Sequence, residues 1–462
     1  MSHWPLNPED ITRPAYRSLA QGIAAAIGAG TLRAGDRLPA HRDMAWKMGV
    51  SVQTVSRAYE ELIRADLVSG EVGRGTYVKP WARETVAMPW YNATRERPPI
   101  DLSLMTPVSL PQITEAWKDT LHRLGDRLPD AAVDMLRPDQ VSNRFSGLAS
   151  TWLASCGLVA GTRRVLVTNG MTPAMFVALA AIANPGDVIA ADPFTSHTLP
   201  PVAHHLQLAL QPIEGDDHGM LPEALREAAR ASPGQIKAVF LLPSGGGPLA
   251  RVMPRERREA LAATAEELGL AILEGDPLGP LTARRLPPVS SLAPRRAFYF
   301  TGMTKCLSPG LRLGFLVMPE AMVERTLNRH LSISWTATPL MAEIAHDWVQ
   351  SGTAQRLLDL QRNELALRNR IAQRLLGPRC LGGPHGLHRW IPLPDDLPEE
   401  TFLRRALDRG VAVAAGSGFR VAEGPGAIRL CLGGAGRAEL ERGLGTIADL
   451  LPDPAQGLAG NA

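Results

Sequence analysis

Lys305 is the residue best placed for covalent chemistry with a carbonyl compound. It stands in the run Phe300-Thr301-Gly302-Met303-Thr304-Lys305-Cys306-Leu307-Ser308-Pro309-Gly310-Leu311-Arg312-Leu313-Gly314-Phe315. A lysine that forms a Schiff base must be held at the rim of a pocket, next to a cation that grips an anionic substituent. Lys305 follows a strand-like run and adjoins Thr304, and a Ser-Pro-Gly turn separates it from Arg312, whose guanidinium can bond a phosphate bidentately. Spacing alone fits a solvated surface lysine equally well. A second constellation lies near the other end of the chain. A helix in the major groove of DNA needs short polar side chains in its first turn and cations nearby for phosphates, and Ser51, Gln53, Thr54 and Arg57 supply that set. Residues 16–78 carry eight Lys and Arg against six Asp and Glu. A net of +2 leaves open a small helical cap with a solvated polar face.

These residues need elements to position them. Tyr16 to Gly28 carries Leu19, Ile23, Ala26 and Ile27 at helical spacing, and Arg42 to Met48 offers a short helix with Met44, Ala45 and Met48 on one side. Gly49 breaks it. Ser51 can cap the next helix, in which Val52, Val55, Tyr59 and Leu62 form an expected inward stripe. Two alternating runs around Gly73, Arg74 and Gly75 then predict a β-hairpin. Residues 79–100 are rich in Pro and charge without a sustained period, which marks a linker. Beyond Asp101, β-branched runs near 165, 190, 208, 240 and 273 alternate with helical patterns from Thr172 and Arg255, a βαβ rhythm. Strands at 298–302 and 313–319 precede long helices up to about Leu376, and a small α+β texture follows through 451.

Composition narrows the function classes. The 462 residues are 45% apolar and 21% charged, with no apolar run near the 18 residues of a membrane span. The start, MSHWPLNPED, lacks the basic stretch and apolar core of a signal peptide, so the expected location is the cytoplasm. Cys156, Cys306, Cys380 and Cys431 are scattered without a CxxC pair, which argues against a disulfide framework and predicts no metal site. Lys plus Arg exceed Asp plus Glu by only 49 − 46 = 3, so any nucleic-acid partner must be argued from local features.

Residues 26–78 resemble the winged helix-turn-helix of GntR-type bacterial regulators. The resemblance rests on the Gly-x-Leu-x-x-Gly-x-x-Leu-Pro-x-x-Arg run, the Thr-Val-x-x-Ala-Tyr helix and the Gly-x-Gly-Thr wing. It implies that Arg42 and Arg57 meet phosphates or bases, that Thr54 approaches the backbone, and that Arg74 and Thr76 lie in a wing at the minor groove. His41 stands where such regulators more often carry a small hydroxyl residue. The segment around Lys305 resembles the pyridoxal-phosphate lysine motif of fold-type I aminotransferases, and that resemblance extends over about 350 residues. A module of the first kind fused to a domain of the second is the architecture of MocR-type regulators, which form head-to-tail dimers. By this resemblance Lys305 is the lysine that bonds the cofactor aldehyde, Thr304 and Arg312 belong to the cofactor site, and Gly170 opens a helix toward the phosphate. Arg429 would hold the carboxylate of an amino-acid-like effector.

The expected fold is therefore multidomain: a winged helix-turn-helix over 1–80, a linker over 81–100, an α/β fold-type I aminotransferase-like large domain over 101–335, connecting helices and a small α+β subdomain over 336–451, and a tail over 452–462. Departures from the aminotransferase pattern are specific. Its Asn-Pro-x-Gly segment, whose asparagine bonds the phenolic oxygen, is Gly247-Pro248-Leu249-Ala250. Its acidic segment is Glu274-Gly275-Asp276-Pro277-Leu278, so glycine replaces the aspartate that pairs with the pyridine nitrogen. Regular strand alternation turns Glu274 and Asp276 away from the ring, and a bulge or a one-residue shift would bring Asp276 into the cofactor site. Thr195 takes the place of the stacking aromatic, with Phe194 beside it, and Thr172 that of a glutamine. Two neutral hydrogen bonds and one charged bond lost amount to about 2.5–6 kcal/mol, or roughly two to four decades of affinity. The expectation is a homodimeric DNA-binding transcriptional regulator of double-stranded operators that senses an amino-acid-like or pyridoxal-phosphate-type effector, with little or no transaminase turnover. The alternative is a pyridoxal-phosphate-dependent aminotransferase with an accessory DNA-binding head.

Overall fold

The computed structural model describes residues 6–28, 31–32, 35–64, 67–71, 75–79, 100–134, 136–282 and 286–452. The chain divides into two compact units, residues 1–91 and 92–462. All but the last residue of the expected linker, the wing residue Arg74 and all but the first residue of the expected tail lie outside the described residues.

In the first unit, α1 (Ala15–Gly28), α2 (His41–Met48) and α3 (Val52–Arg64) precede the antiparallel pair β1 (Val68–Glu71) and β2 (Gly75–Val78). Leu19, Ile23, Met44, Met48, Val55, Tyr59 and Leu62 are buried together, so each helix contributes one apolar stripe to a shared core. Gly49 closes α2 in the left-handed conformation at φ 65°, which a residue without Cβ adopts freely and which turns the chain toward α3. The Tyr59 hydroxyl donates to the Pro39 carbonyl at 2.8 Å and pins α3 to the approach of α2. Val52 departs from the expected inward stripe. It opens α3 beyond the reach of the core and is 45% exposed.

The second unit is built on a seven-stranded sheet in the order Val165–Thr168, Gly314–Val317, Ala297–Gly302, Ala271–Asp276, Ile236–Leu241, Val188–Ala191, Ala209–Pro212. All pairings are parallel except those of Gly314–Val317, which runs antiparallel to both neighbours. Near-continuous apolar strands such as Ala297–Gly302, buried at every position, fit a sheet covered on both faces. A four-stranded sheet orders His388–Pro392, Ala427–Cys431, Val411–Ala415 and Ile100–Leu102. The last of these corrects the expected boundary. Ile100–Leu102 pairs in parallel with Val411–Val413, so these residues form an edge strand of the small sheet rather than the end of a linker and the start of the large domain. The helix Pro111–Asp126, with proline in its first turn, also lay outside the sequence reading.

Candidate functional site

The carboxyl ends of parallel strands are where open α/β sheets hold ligands, and two such ends converge here with the turn that enters the antiparallel strand Gly314–Val317. Thr168 leads through Asn169 to Gly170, which opens the helix Met171–Ile182 at φ 98° and ψ 179°, a conformation open essentially to glycine. Gly302 leads to Thr304 and Lys305. The turn Pro309–Leu311 then delivers Arg312 at φ 44°, a strained angle for a residue with Cβ. The result is a cavity of about 220 Å³ whose walls include Gly170, Thr172, Thr304, Lys305, Arg312, His388 and Arg429. Five residues expected at the site, Gly170, Thr304, Lys305, Arg312 and Arg429, are thus brought together. Among the described residues, no Asp or Glu lines this cavity, so its formal charge is carried by Lys305, Arg312 and Arg429.

Lys305 is largely enclosed, and its Nζ donates to the Met105 carbonyl. Burial, with Arg429 and Arg312 nearby, holds its ammonium below the ordinary lysine range, although the Cys431 thiol offsets part of this. A larger share of neutral amine makes Lys305 a better nucleophile at a given pH. Arg429 reaches the cavity from the small sheet and is 4% exposed. Its Nη2 donates to the Ser103 carbonyl at 2.9 Å, its guanidinium lies 4.6 Å from the Phe419 ring centroid, and its buried Nε has no partner. A guanidinium at the cavity wall with no carboxylate beside it favours an incoming anion.

Asp276 is a correction. The strand Ala271–Asp276 pairs regularly with both neighbours and has no bulge. Alternation therefore sends Glu274 and Asp276 to the face away from the cavity. There Asp276 accepts from the Tyr299 hydroxyl at 2.7 Å and from the Gly279 amide at 2.8 Å, while Glu274 accepts from Ser290 and Val289. Gly275 is the residue on the cavity side. A Cβ placed on it would lie 2.8 Å from Leu242 Cδ2 and 3.0 Å from Phe300 Cε2, and both side chains line the cavity. Hydrocarbon fills the space a carboxylate at 275 would need. Neither Phe194 nor Thr195 lines the cavity: Phe194 packs edge-on against Trp390, and the buried Thr195 donates its amide to Phe419.

Two lining residues escaped the sequence reading. His197 stands T-shaped to Phe419 at 5.6 Å, and burial, together with Arg429 and Lys305, pushes its imidazole down to about 3. His388 lies 1% exposed on the strand paired with that of Arg429. Its Nε2 lies 3.0 Å from the carbonyls of both Gly247 and Pro248, and burial and Arg429 push its ring down to about 4. Only the pairing of Trp390 with Arg429 across the small sheet brings this strand to the site, and no local motif announces that pairing.

The expected DNA-facing residues of the first unit sort into groups. Ser51 Oγ accepts the Thr54 amide at 3.1 Å and lies 2.8 Å from Thr54 Oγ1, so both side chains are engaged in capping α3. Arg57 is exposed, and its guanidinium lies 4.4 Å from the centroid of Tyr16. Arg42 on α2 and Gln53 in the first turn of α3 are exposed. Thr76 is only 8% exposed, and its carbonyl accepts from Leu38 at 2.8 Å, so its backbone ties the wing to the core. His41 packs on Tyr59 with ring centroids 4.8 Å apart.

Residues 15–78 match the family described as "Bacterial regulatory proteins, gntR family", and residues 149–447 match "Aminotransferase class I and II". Over nearly its whole length the chain is similar to the HTH-type transcriptional regulator YdeF of Bacillus subtilis, at 27% identity and with 97% of each chain covered. It is 26% identical to the HTH-type pyridoxine biosynthesis transcriptional regulator PdxR of Corynebacterium glutamicum, covering 89% of each chain. Similarity to the vitamin B6 salvage pathway transcriptional repressor PtsJ of Salmonella typhimurium is 25%, over 88% of this chain and 91% of that one. Among solved structures, an archaeal alanine:glyoxylate aminotransferase superposes with a TM-score of 0.70 at 20% identity, over 76% of this chain and 90% of that one. No described helix is long and apolar enough to cross a membrane. The chain is therefore a DNA-binding transcriptional regulator of the GntR family whose second unit belongs to the class I and II aminotransferase family, the fused arrangement of MocR-type regulators.

Proposed function

We propose that the second unit is an effector sensor that takes a phosphorylated B6 vitamer, and that the chain acts as a cytoplasmic homodimer on operator DNA. The observation that carries the sensor reading is the joint presence of Lys305, Arg312 and Gly170 around one cavity with an apolar floor at Gly275. A cavity of about 220 Å³ with a cationic rim suits an anionic ligand of vitamer size. Arg312, Thr304 and the amides at the start of the helix Met171–Ile182 would hold the phosphate. When bound, pyridoxal phosphate supplies an aldehyde that a primary amine can attack and a ring that can draw electrons. Lys305 provides that amine, which burial and its cationic neighbours keep more often neutral than a surface lysine. Arg429 would receive a second anionic group, such as the carboxylate of an amino-acid-like ligand.

Turnover as an aminotransferase is disfavoured by the same floor. A carboxylate at the ring nitrogen keeps that nitrogen protonated, and no Asp or Glu of the described chain faces the cavity. Relatives named for pyridoxine biosynthesis and vitamin B6 salvage support a B6-type effector. A homodimer would set two winged modules on paired half-sites. The test is a spectrum and a gel shift. Full-length protein with added pyridoxal phosphate should gain a visible absorption band that Lys305→Ala lacks, and the same ligand should change affinity for duplexes selected in vitro on the protein. A colourless saturated protein whose DNA affinity ignores the ligand would remove the vitamer reading.

A further inference from the structure

Charge and hydrocarbon share the cavity wall in an unusual way. Its cations are Lys305, Arg312 and Arg429, and much of the rest is the hydrocarbon of Met175, Phe240, Leu242, Pro277 and Phe300. The carboxylates nearest in sequence to this floor are turned away. Glu274 and Asp276 lie on the far face of their strand, where Ser290 and Tyr299 engage them. Between them, a Cβ on Gly275 would already meet Leu242 and Phe300, so the cavity face of the strand is covered by apolar groups. A cation entering this space exchanges water for hydrocarbon and gains no counter-charge among the described lining residues.

The protein's own nitrogen rings respond to the same surroundings. His197 and His388 both line the cavity, and burial first, then Arg429, pushes them down to about 3 and about 4. Two aromatic heterocycles are thus kept unprotonated in this wall, and a third brought in by a ligand meets the same desolvation and the same cations. A phosphate, by contrast, is matched by Arg312. We infer that the cavity selects phosphate monoesters whose aromatic ring carries no charge, so that a ring nitrogen is held without a proton and is not required for binding. The inference rests on the vitamer reading above for the phosphate and the ring, and goes beyond it in the class of ring admitted. Carbocyclic aryl phosphates belong to that class, and permanent pyridinium ions are excluded from it.

The experiment uses full-length protein and four probes that carry no aldehyde, so that Lys305 chemistry does not enter. Benzyl phosphate and 3-pyridylmethyl phosphate differ in one ring atom. The second pair, 3-methylbenzyl phosphate and (1-methylpyridinium-3-yl)methyl phosphate, shares one outline and differs in ring charge. Affinities are read by calorimetry in mildly alkaline buffer. On the wild type the first pair should agree within about threefold, and the pyridinium should bind about tenfold more weakly than its neutral isostere or worse. Leu242→Asp sets a carboxylate in the hydrocarbon wall and should narrow or reverse that gap. Met175→Glu does so from the helix Met171–Ile182 and covers the case in which the first variant does not fold. Equal affinities of the two isosteres on the wild type overturn the inference while leaving the vitamer reading intact. So does benzyl phosphate binding about tenfold below the pyridyl probe, because the ring nitrogen is then recognised. A gap that neither folded variant narrows also overturns it, because the lining is then not its source. If none of the four probes binds while pyridoxal phosphate does, the inference alone falls; if pyridoxal phosphate fails as well, the vitamer reading falls with it.

Discussion

Replacing Gly275 with alanine places one methyl group where the strand Ala271–Asp276 faces the cavity. The added Cβ would stand 2.8 Å from Leu242 Cδ2 and 3.0 Å from Phe300 Cε2, closer than carbon atoms approach without displacement. Two effects oppose each other. Alanine restricts the unfolded chain more than glycine does, which stabilises by about 0.4–1 kcal/mol when the site accommodates it. Overpacking of a filled interior costs about 1–3 kcal/mol. Leu242 and Phe300 both line the cavity and can give by a few tenths of an ångström toward it, so the overpacking term wins narrowly and Gly275→Ala should lose about 1 kcal/mol net. Leu242→Ala removes the nearer obstacle at its own cost. The double variant should then be less destabilised than the sum of the singles by about 1 kcal/mol or more, since residues in contact couple by 0.5–3 kcal/mol. Urea unfolding of the four proteins measures the cycle. Additive effects within about 0.3 kcal/mol would mean that the two side chains do not compete for the same space. The reasoning for an apolar floor would then fail, and with it the reason why aspartate at 275 cannot simply be restored.

Tyr16→Leu removes the ring beneath Arg57 and should cost about 0.5–1 kcal/mol of stability in the first unit. Chemical denaturation followed with a probe in that unit reads this loss, and an unchanged midpoint would show that the stack contributes nothing. Stability should also fall on acidification through the two cavity histidines. Unfolded histidines titrate near 6.5, whereas His388 and His197 are held down to about 4 and about 3, so their contribution is complete above pH 6.5 and is lost as the pH falls toward those values. At pH 5 each gap amounts to about 2 kcal/mol. Asp192 acts in the opposite sense, because burial pushes its carboxyl up to about 6 and acid relieves that cost. The informative quantity is therefore a difference. Between pH 7 and 5, wild type should lose about 2 kcal/mol more than His388→Asn, and parallel losses would contradict a buried neutral imidazole.

How far the sequence was legible depends on how local each determinant is. Lys305, Thr304 and Arg312 lie within nine residues, and the strand and turn that aim them are written into the same segment, so their convergence was expected and is observed. The α3 cap was also legible, but its consequence was not. Ser51 and Thr54 satisfy each other and the helix start, which engages two hydroxyls that composition alone offered to DNA. Val52 misled because helical periodicity says nothing about where a neighbouring element ends. Arg429 could be named only through resemblance, and His388 was read as part of a strand with no function attached. Both reach the cavity from the small sheet through cross-strand pairing between segments far apart in sequence.

Asp276 shows how a local rule and a family pattern can compete. Alternation along a regular strand assigned it to the far face, while the aminotransferase pattern invited a bulge that would bring it back. The far face is a polar site in its own right: Arg258, 1% exposed, donates to the carbonyls of Met253, Pro243 and Pro287, and Asp276 is already engaged by Tyr299 and Gly279. Turning Asp276 to the cavity would leave the Tyr299 hydroxyl without this acceptor and bury a carboxylate against Leu242 and Phe300. Each of those costs about 1–3 kcal/mol or more, which exceeds what one charged hydrogen bond to a ligand returns. The acidic residue one position from the ring partner is thus committed to holding the fold. The chemistry left to the cavity is that of cations and two imidazoles held neutral by burial, an arrangement suited to retaining an anion rather than to moving its protons.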